Sequence, residues 1–180
     1  MSETQVFETC RCGKVKLEAM GRPILTATCY CRSCREAGRR FEQLPAAPPV
    51  LNVGGGTDCV LYRKDRVRCV AGEELLEEHR LKPESPTRRV LATCCNSAMF
   101  ADFTKGHWLK LYRNRFAAGA PPVEVRVMTK DLGEGVVLGD DVPASAGYPA
   151  KFMFRLIGAW IAMGFRRPEI PWGKTVRQSP

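Results

Sequence analysis

The sequence predicts a mainly β protein held together by metal ions instead of disulfides. Three observations carry that prediction. Apolar residues recur at every second position in short runs through the first two-thirds of the chain, as half-buried strands require. Turn-forming glycines and prolines separate those runs. And of nine cysteines, most are bunched in short clusters that lie far apart in the chain.

Lys14–Ala19 alternates polar and apolar, the pattern of a strand with one solvated face. Val60–Tyr62 and Val67–Val70 flank the charged stretch Arg63–Arg66, which predicts two strands joined by a turn. Arg89–Thr93 leads as a strand into Cys94, and Trp108–Tyr112 has period-two character. Val123–Val127 is the cleanest strand, its three valines on one face. Pro45, Pro48 and Pro49 make 46–50 a loop, and Gly54-Gly55-Gly56 is a turn. A phosphate loop is excluded there, because Asp58-Cys59-Val60 follows where Gly-Lys-Ser/Thr would have to open a helix. Beyond Pro121-Pro122 the chain turns loop-rich, and Phe152–Phe165 is then apolar except for Arg155. That run predicts a helix over about 150–166, closed by Arg166-Arg167 at its negative end and by Pro168. It is too short to span a bilayer. Its apolar surface is expected to dock on the sheet, with a second copy (a homodimer) or a membrane surface as the other resting places. The organisation that results is a zinc-binding β domain over 1–130, with a loop-rich segment over 131–180 whose helix packs on it.

A chain of 180 residues, 44% hydrophobic and 26% charged, has the composition of a globular protein with a core, not of a disordered one. The formal charge of +9 suits anionic partners. Its basic residues are scattered, with clusters at Arg32/Arg35/Arg39/Arg40, Arg63/Lys64/Arg66/Arg68 and Arg166/Arg167, so charge alone selects no partner. Met1–Gln5 is polar and lacks the apolar core of a signal peptide. The cysteine count is odd and the spacing bunched, so the thiols are read as reduced and the location as cytoplasmic.

The clusters are Cys10-x-Cys12-Gly13, Cys29-x-Cys31-x-x-Cys34 and Cys94-Cys95. Zinc takes tetrahedral thiolate coordination, which ligands a few residues apart on a turn reach without strain. No single cluster supplies the four ligands of a closed site, so Cys10 and Cys12 are joined to Cys94 and Cys95, clamping an early strand to a late one. Cys29, Cys31 and Cys34 then remain as three thiolates with an open coordination position, the way catalytic zinc is held. A second structural site and a metal-free triple are the other readings of those three. Cys59 and Cys69 sit in strand-like runs and read as small buried side chains.

At these residues the chain resembles the glutathione-dependent formaldehyde-activating enzyme family, which also contains centromere protein V. The similarity runs from about Phe7 to Phe103 and rests on Cys10-x-Cys12-Gly13-x-Val15, the Cys29/Cys31/Cys34 triple, and Cys95-x-Ser97-x-Met99-Phe100. The resemblance implies a β-tent, antiparallel sheets pinned by a structural zinc. It implies a reaction that joins a thiol such as glutathione to formaldehyde, or runs in reverse as a carbon–sulfur lyase. Two departures stand out. The first cysteine of the family's C-x-x-C pair falls here on Ala92, so Cys94 must substitute from an altered position. Neighbours on a regular strand point to opposite faces, so Cys94 and Cys95 can share an ion only across a turn or bulge. Tyr30 stands where the family tends to have histidine.

On this reading Cys29, Cys31 and Cys34 are catalytic, and Arg32 and Arg35, with Arg39 and Arg40 beyond, hold substrate carboxylates. The plainer reading of those arginines is a solvated basic face. Neither His79 nor His107 has ligand spacing to a cysteine. A rival function is a zinc-stabilised module binding nucleic acid through phosphate contacts and stacking on Tyr62, Trp108 and Tyr112. A thiol sensor or metal-handling protein is a third.

Overall fold

The computed structural model describes residues 5–116 and 120–173. Its strands, among those residues, are β1 (Gln5–Thr9), β2 (Lys16–Met20), β3 (Leu25–Cys29), β4 (Thr57–Arg63), β5 (Val67–Ala71), β6 (Leu76–His79), β7 (Thr87–Ala92), β8 (Ser97–Phe103), β9 (Trp108–Tyr112) and β10 (Val125–Val127). Two α-helices join them, α1 (Arg32–Glu42) and α2 (Ala150–Ala162). The mainly β class follows from the alternation; the C-terminal helix starts where expected but ends at Ala162 and not near 166, because Gly164 and Phe165 take left-handed conformations that break it before Arg166 and Pro168.

A three-stranded sheet in the order β1-β2-β5 packs over a seven-stranded sheet in the order β10-β3-β4-β9-β8-β7-β6. Every pairing is antiparallel except β10 on β3, which is parallel. Strand parity assigns the two faces of the large sheet. Val60 and Tyr62 of β4, and Leu109 and Leu111 of β9, face the small sheet and pack with Val15, Leu17 and Ala19. The intervening Cys59 and Leu61 face the other way and pack with Phe152 and Leu156 of α2. Helix α1 covers the same outer face farther along, setting Ala37 and Phe41 against Leu91, Ala98 and Tyr112.

The turn read between Arg63 and Arg66 is a single 3-10 turn, Lys64–Arg66, but the strands it joins enter different sheets. Val123–Val127, the cleanest alternation, yields only the three residues of β10 at the sheet edge. Pro121 and Pro122 lack the N–H groups that a ladder needs, so pairing starts late. Helix α1 is an addition to the sequence reading: Cys34, Ala37, Gly38 and Phe41 do recur at i, i+3, i+4 and i+7, but three of the four are small and the cysteine spacing dominates the segment.

Below the small sheet lies a buried ion cluster. The Lys64 Nζ stands 2.8 Å from one Asp102 oxygen and the Arg88 Nε donates to the other at 2.9 Å. Arg88 also donates to the carbonyls of Trp172, at 2.9 Å, and Ile170, at 2.7 Å. The chain after α2 is thereby tied to β7. No helix among the described residues is long and apolar enough to cross a membrane.

Candidate metal centre

The fold gathers the cysteines into two groups. The thiol sulfurs of Cys10, Cys12, Cys94 and Cys95 lie within 4.8 Å of one another, as do those of Cys29, Cys31 and Cys34. All are free thiols.

The four-thiol group is built from two turns. Between β1 and β2, the Gly13 N–H donates to Cys10 O at 2.9 Å and the Val15 N–H donates to Cys10 Sγ at 3.2 Å. Gly13 has φ of +81°, a conformation that side-chain-bearing residues rarely adopt, which accounts for the glycine after Cys12. Between β7 and β8, Cys94 and Cys95 sit in a turn completed by Asn96 at φ of +51°. Strand β7 ends at Ala92, so the two neighbours escape the opposite-face rule and their sulfurs stand 3.9 Å apart. The other separations are 3.6 Å for Cys10–Cys12, 3.8 Å for Cys10–Cys94 and 3.3 Å for Cys12–Cys94. Four sulfurs each about 2.3 Å from one ion, at tetrahedral angles, are about 3.8 Å apart. The donor set and its spacing therefore fit zinc. Burial raises the Cys95 thiol, but the Ser97 hydroxyl and the N–H groups of Cys12 and Ser97 bring it down to about 6, favouring a thiolate.

The three-thiol group belongs to one stretch of chain. Cys29 ends β3, Cys31 caps α1, and Cys34 sits in its first turn, its N–H donating to Cys31 O at 3.0 Å. The exposed N–H groups at a helix start favour negative charge beside them. Between Cys29 and Cys31, Tyr30 is buried, its ring packed against the Gly54–Gly56 turn. A Cβ on Gly56 would come within 2.7 Å of that ring, so the turn that the sequence marked also seats the segment carrying the triple.

Two cations face these thiols. The Lys110 Nζ donates to Cys34 Sγ at 3.1 Å, and Arg89 holds the Ser33 carbonyl at 3.0 Å. Donation from the Cys29 and Cys31 thiols, with Lys110 and Arg89 nearby, holds Cys34 well below its usual value. Hydrogen bonds with Cys31 and Cys34, together with burial, push Cys29 up. Burial would lower Lys110, yet the charges of Cys29 and Cys34 raise it and keep the ammonium form.

The triple opens on a cavity of ≈ 360 Å³ between the large sheet and α2. Its polar lining includes Ser33, Arg89 and Lys110. Cys59 lies in the wall, but its Sγ donates to Ala27 O at 3.1 Å and burial raises it to about 11, so it stays a thiol. Cys69 lies outside both groups and donates to Ala71 O at 3.3 Å.

Arg32 and Arg35 meet Asp131: the Arg32 backbone N–H donates to its carboxylate at 3.3 Å, the Arg32 Nε stands 3.7 Å from the other oxygen, and the Arg35 guanidinium donates to its backbone carbonyl. Both line a groove along α1 with Arg39, Arg40 and Lys82, and this groove shares Ser33 with the cavity. Sequence reasoning missed Lys110 and Arg89. The signal for Lys110 was present, since alternation in Trp108–Tyr112 puts it on the face opposite Leu109 and Leu111, where a lone charge needs a partner.

None of the curated proteins compared matches this chain. A crystal structure of a Rhodobacter sphaeroides protein is similar over 79% of this chain and 100% of its own, with 18% identity and a TM-score of 0.47. The family described as glutathione-dependent formaldehyde-activating enzyme matches residues 5–44. That segment holds Cys10, Cys12 and the whole Cys29/Cys31/Cys34 group, so over these residues the chain is similar to the glutathione-dependent formaldehyde-activating enzyme family.

Proposed function

We propose that the protein is a zinc-dependent enzyme of the carbon–sulfur lyase type, acting in the cytoplasm on an adduct between a thiol and an aldehyde. Cys10, Cys12, Cys94 and Cys95 would hold a structural zinc, and Cys29, Cys31 and Cys34 a catalytic one. The observation that carries this reading is the pairing of an incomplete thiol set with a cavity and two buried-side cations. Zinc held by three thiolates supplies a vacant position that stabilises a substrate sulfur as thiolate.

The chain's own residues do the rest. In the adduct-forming direction the thiol sulfur loses its proton, a carbon–sulfur bond forms, and the carbonyl oxygen gains a proton; the reverse splits the same bond. Lys110 holds a proton at Nζ beside Cys34 and offsets the negative charge that three thiolates leave over. Arg89 fixes the start of α1 through the Ser33 carbonyl and adds a second positive charge. Helix α2 lines one side of the cavity with Phe152, Met153 and Leu156, and this hydrocarbon lowers the local dielectric and strengthens both charges. Arg32 and Arg35, in the groove that meets the cavity at Ser33, would hold carboxylates of a thiol such as glutathione.

The nucleic-acid reading has less support. Tyr62 and Tyr112 are buried in the two cores, and no aromatic side chain lines the basic groove of α1.

The test is Cys31→Ser, with zinc counted by elemental analysis and exchange between glutathione and carbon-13 formaldehyde followed by NMR. Loss of about one zinc per chain and a fall of exchange to the uncatalysed rate are expected. Exchange at the wild-type rate with that zinc gone overturns the reading.

A further inference from the structure

We infer that the adduct this site takes carries an apolar group, a short alkyl chain or a single ring, which lodges under α2 beside the reacting sulfur. The inference rests on the thiol–aldehyde reading above and narrows its substrate class.

The walls of the cavity argue for it. Apart from the cysteines, Ser33, Thr87, Arg89, Lys110 and Tyr148, the surface is hydrocarbon and aromatic: Leu61, Trp108, Val127, Phe152, Met153 and Leu156 among others. The charged groups inside are already engaged, Lys110 with Cys34 and Arg89 with the Ser33 carbonyl. A carboxylate or ammonium driven under α2 would be stripped of water with hydrocarbon in place of partners, and an unpaired buried charge is strongly disfavoured. Formaldehyde, with a single carbon, would leave most of ≈ 360 Å³ unfilled. An apolar group gains from the same walls by leaving water, about fourfold in affinity for each methylene buried. Any charged part of the substrate has a different place to go, the groove of Arg32, Arg39, Arg40 and Lys82 that touches the cavity at Ser33. Hydrocarbon beneath the helix and charge outside it make one continuous amphiphilic site.

The apolar group can sit on either side of the carbon–sulfur bond, and two series separate those sources. In the first, ethane-, butane- and hexanethiol are titrated into the zinc-loaded full-length chain by calorimetry, beside alcohols of equal length. In the second, glutathione is held fixed while formaldehyde, butanal and hexanal are compared by NMR exchange. A rise of about fourfold per methylene in the thiol series places the group on the thiol, and in the aldehyde series on the aldehyde. Met153→Trp, at the partly exposed rim of the cavity, should cut hexyl binding at least tenfold while changing ethyl binding little. Phe152→Ala, which deepens the cavity, should shift the best chain length upward.

Flat series in both arms, with glutathione and formaldehyde processed as well as any longer pair, overturn the inference and leave the thiol–aldehyde reading standing. Alcohols that bind as tightly as thiols, with the same gain per methylene, support the apolar cavity and overturn the thiol reading instead.

Discussion

Two groups of the same side chain are placed differently in this molecule, one joining distant turns and one confined to a single junction. Cys12 and Cys94 are 82 residues apart, and their turns belong to different sheets. A link across a loop that long removes about 4.5 kcal/mol of chain entropy from the unfolded state, if a metal clamp acts as a disulfide does. Cys29, Cys31 and Cys34 are neighbours at a strand–helix junction, so binding an ion there closes only a short loop and joins no distant parts. With an ion bound, the first group would clamp the two sheets together. The second supplies three sulfurs beside a cavity and ties together no distant parts of the chain.

The largest effect should come from removing the clamp. Cys94→Ser leaves three thiols where four are needed, and the expected loss is at least 5 kcal/mol, a fall in Tm of about 10–20 °C for a chain of this size. Cys31→Ser gives up an ion that joins no distant parts of the chain and should cost less than half as much. Thermal unfolding with parallel zinc counting reads both, and equal losses from the two variants would erase the distinction.

Arg88 and Arg89 repeat the comparison one residue apart. Neighbours on β7 point to opposite faces, and Arg88 is buried with Asp102, Glu78 and the carbonyls of residues 170 and 172, while Arg89 faces the triple. Removing one partner from a buried ion network costs about 3–5 kcal/mol, so Arg88→Ala is expected to lose that much on urea denaturation. Arg89→Ala should cost less and weaken metal retention by the triple instead. A mild Arg88→Ala would show that the tie to the C-terminal segment is dispensable.

Much of this was legible from residues alone. The grouping of Cys10 and Cys12 with Cys94 and Cys95 follows from counting ligands, and the apolar run 152–165 announces α2, because spacing and hydrophobicity are local properties of a chain. What the sequence hid is tertiary. Nothing local says that Thr93–Asn96 turns so that Cys94 and Cys95 point the same way, since that depends on Asn96 adopting a left-handed conformation. Strand β3 is buried at every position, so it shows no alternation, and the stripe of α1, Cys34, Ala37, Gly38 and Phe41, is made mostly of small residues. The arginines nearest the triple in sequence turn to Asp131 on a distant loop, whereas the cations that face its thiols, Lys110 and Arg89, arrive from β9 and β7.

Lys110 tests whether the triple depends on charge brought from elsewhere. Lys110→Met keeps the length of the side chain and removes the ammonium, and the zinc affinity of the triple should fall about ten- to a hundredfold. Competition with a chromophoric chelator measures it. Lys110→Arg should recover part of the loss, and the affinity of the four-thiol group should not change. If both groups weaken together, the lysine supports the fold and not the site.

The smallest effect concerns the roof of the cavity. His107 is buried, its ring stacks on Trp160, and its Nε2–H donates to the Leu156 carbonyl of α2 at 2.8 Å. Burial lowers its pKa from the ordinary 6.5, against the pull of that hydrogen bond, and the charges of Arg167, Lys64 and Arg63 lower it further. A depressed histidine favours the unfolded chain as the medium acidifies, because the unfolded state takes up a proton near pH 6.5 while the folded state still refuses it. The stability held above pH 6.5 should therefore decline as the pH falls through that value, and level off once the folded state protonates as well. Urea denaturation between pH 7.5 and pH 5 reads the slope, and His107→Asn should flatten this component while costing on the order of 1 kcal/mol at neutral pH for the altered hydrogen bond. Because the group that titrates touches α2 and not the thiols, the same acidification should loosen the apolar roof while leaving the clamp closed. Hydrogen exchange that quickens in α2 before it quickens in β1 and β2 would separate the two regions, and simultaneous loss of protection in both would join them.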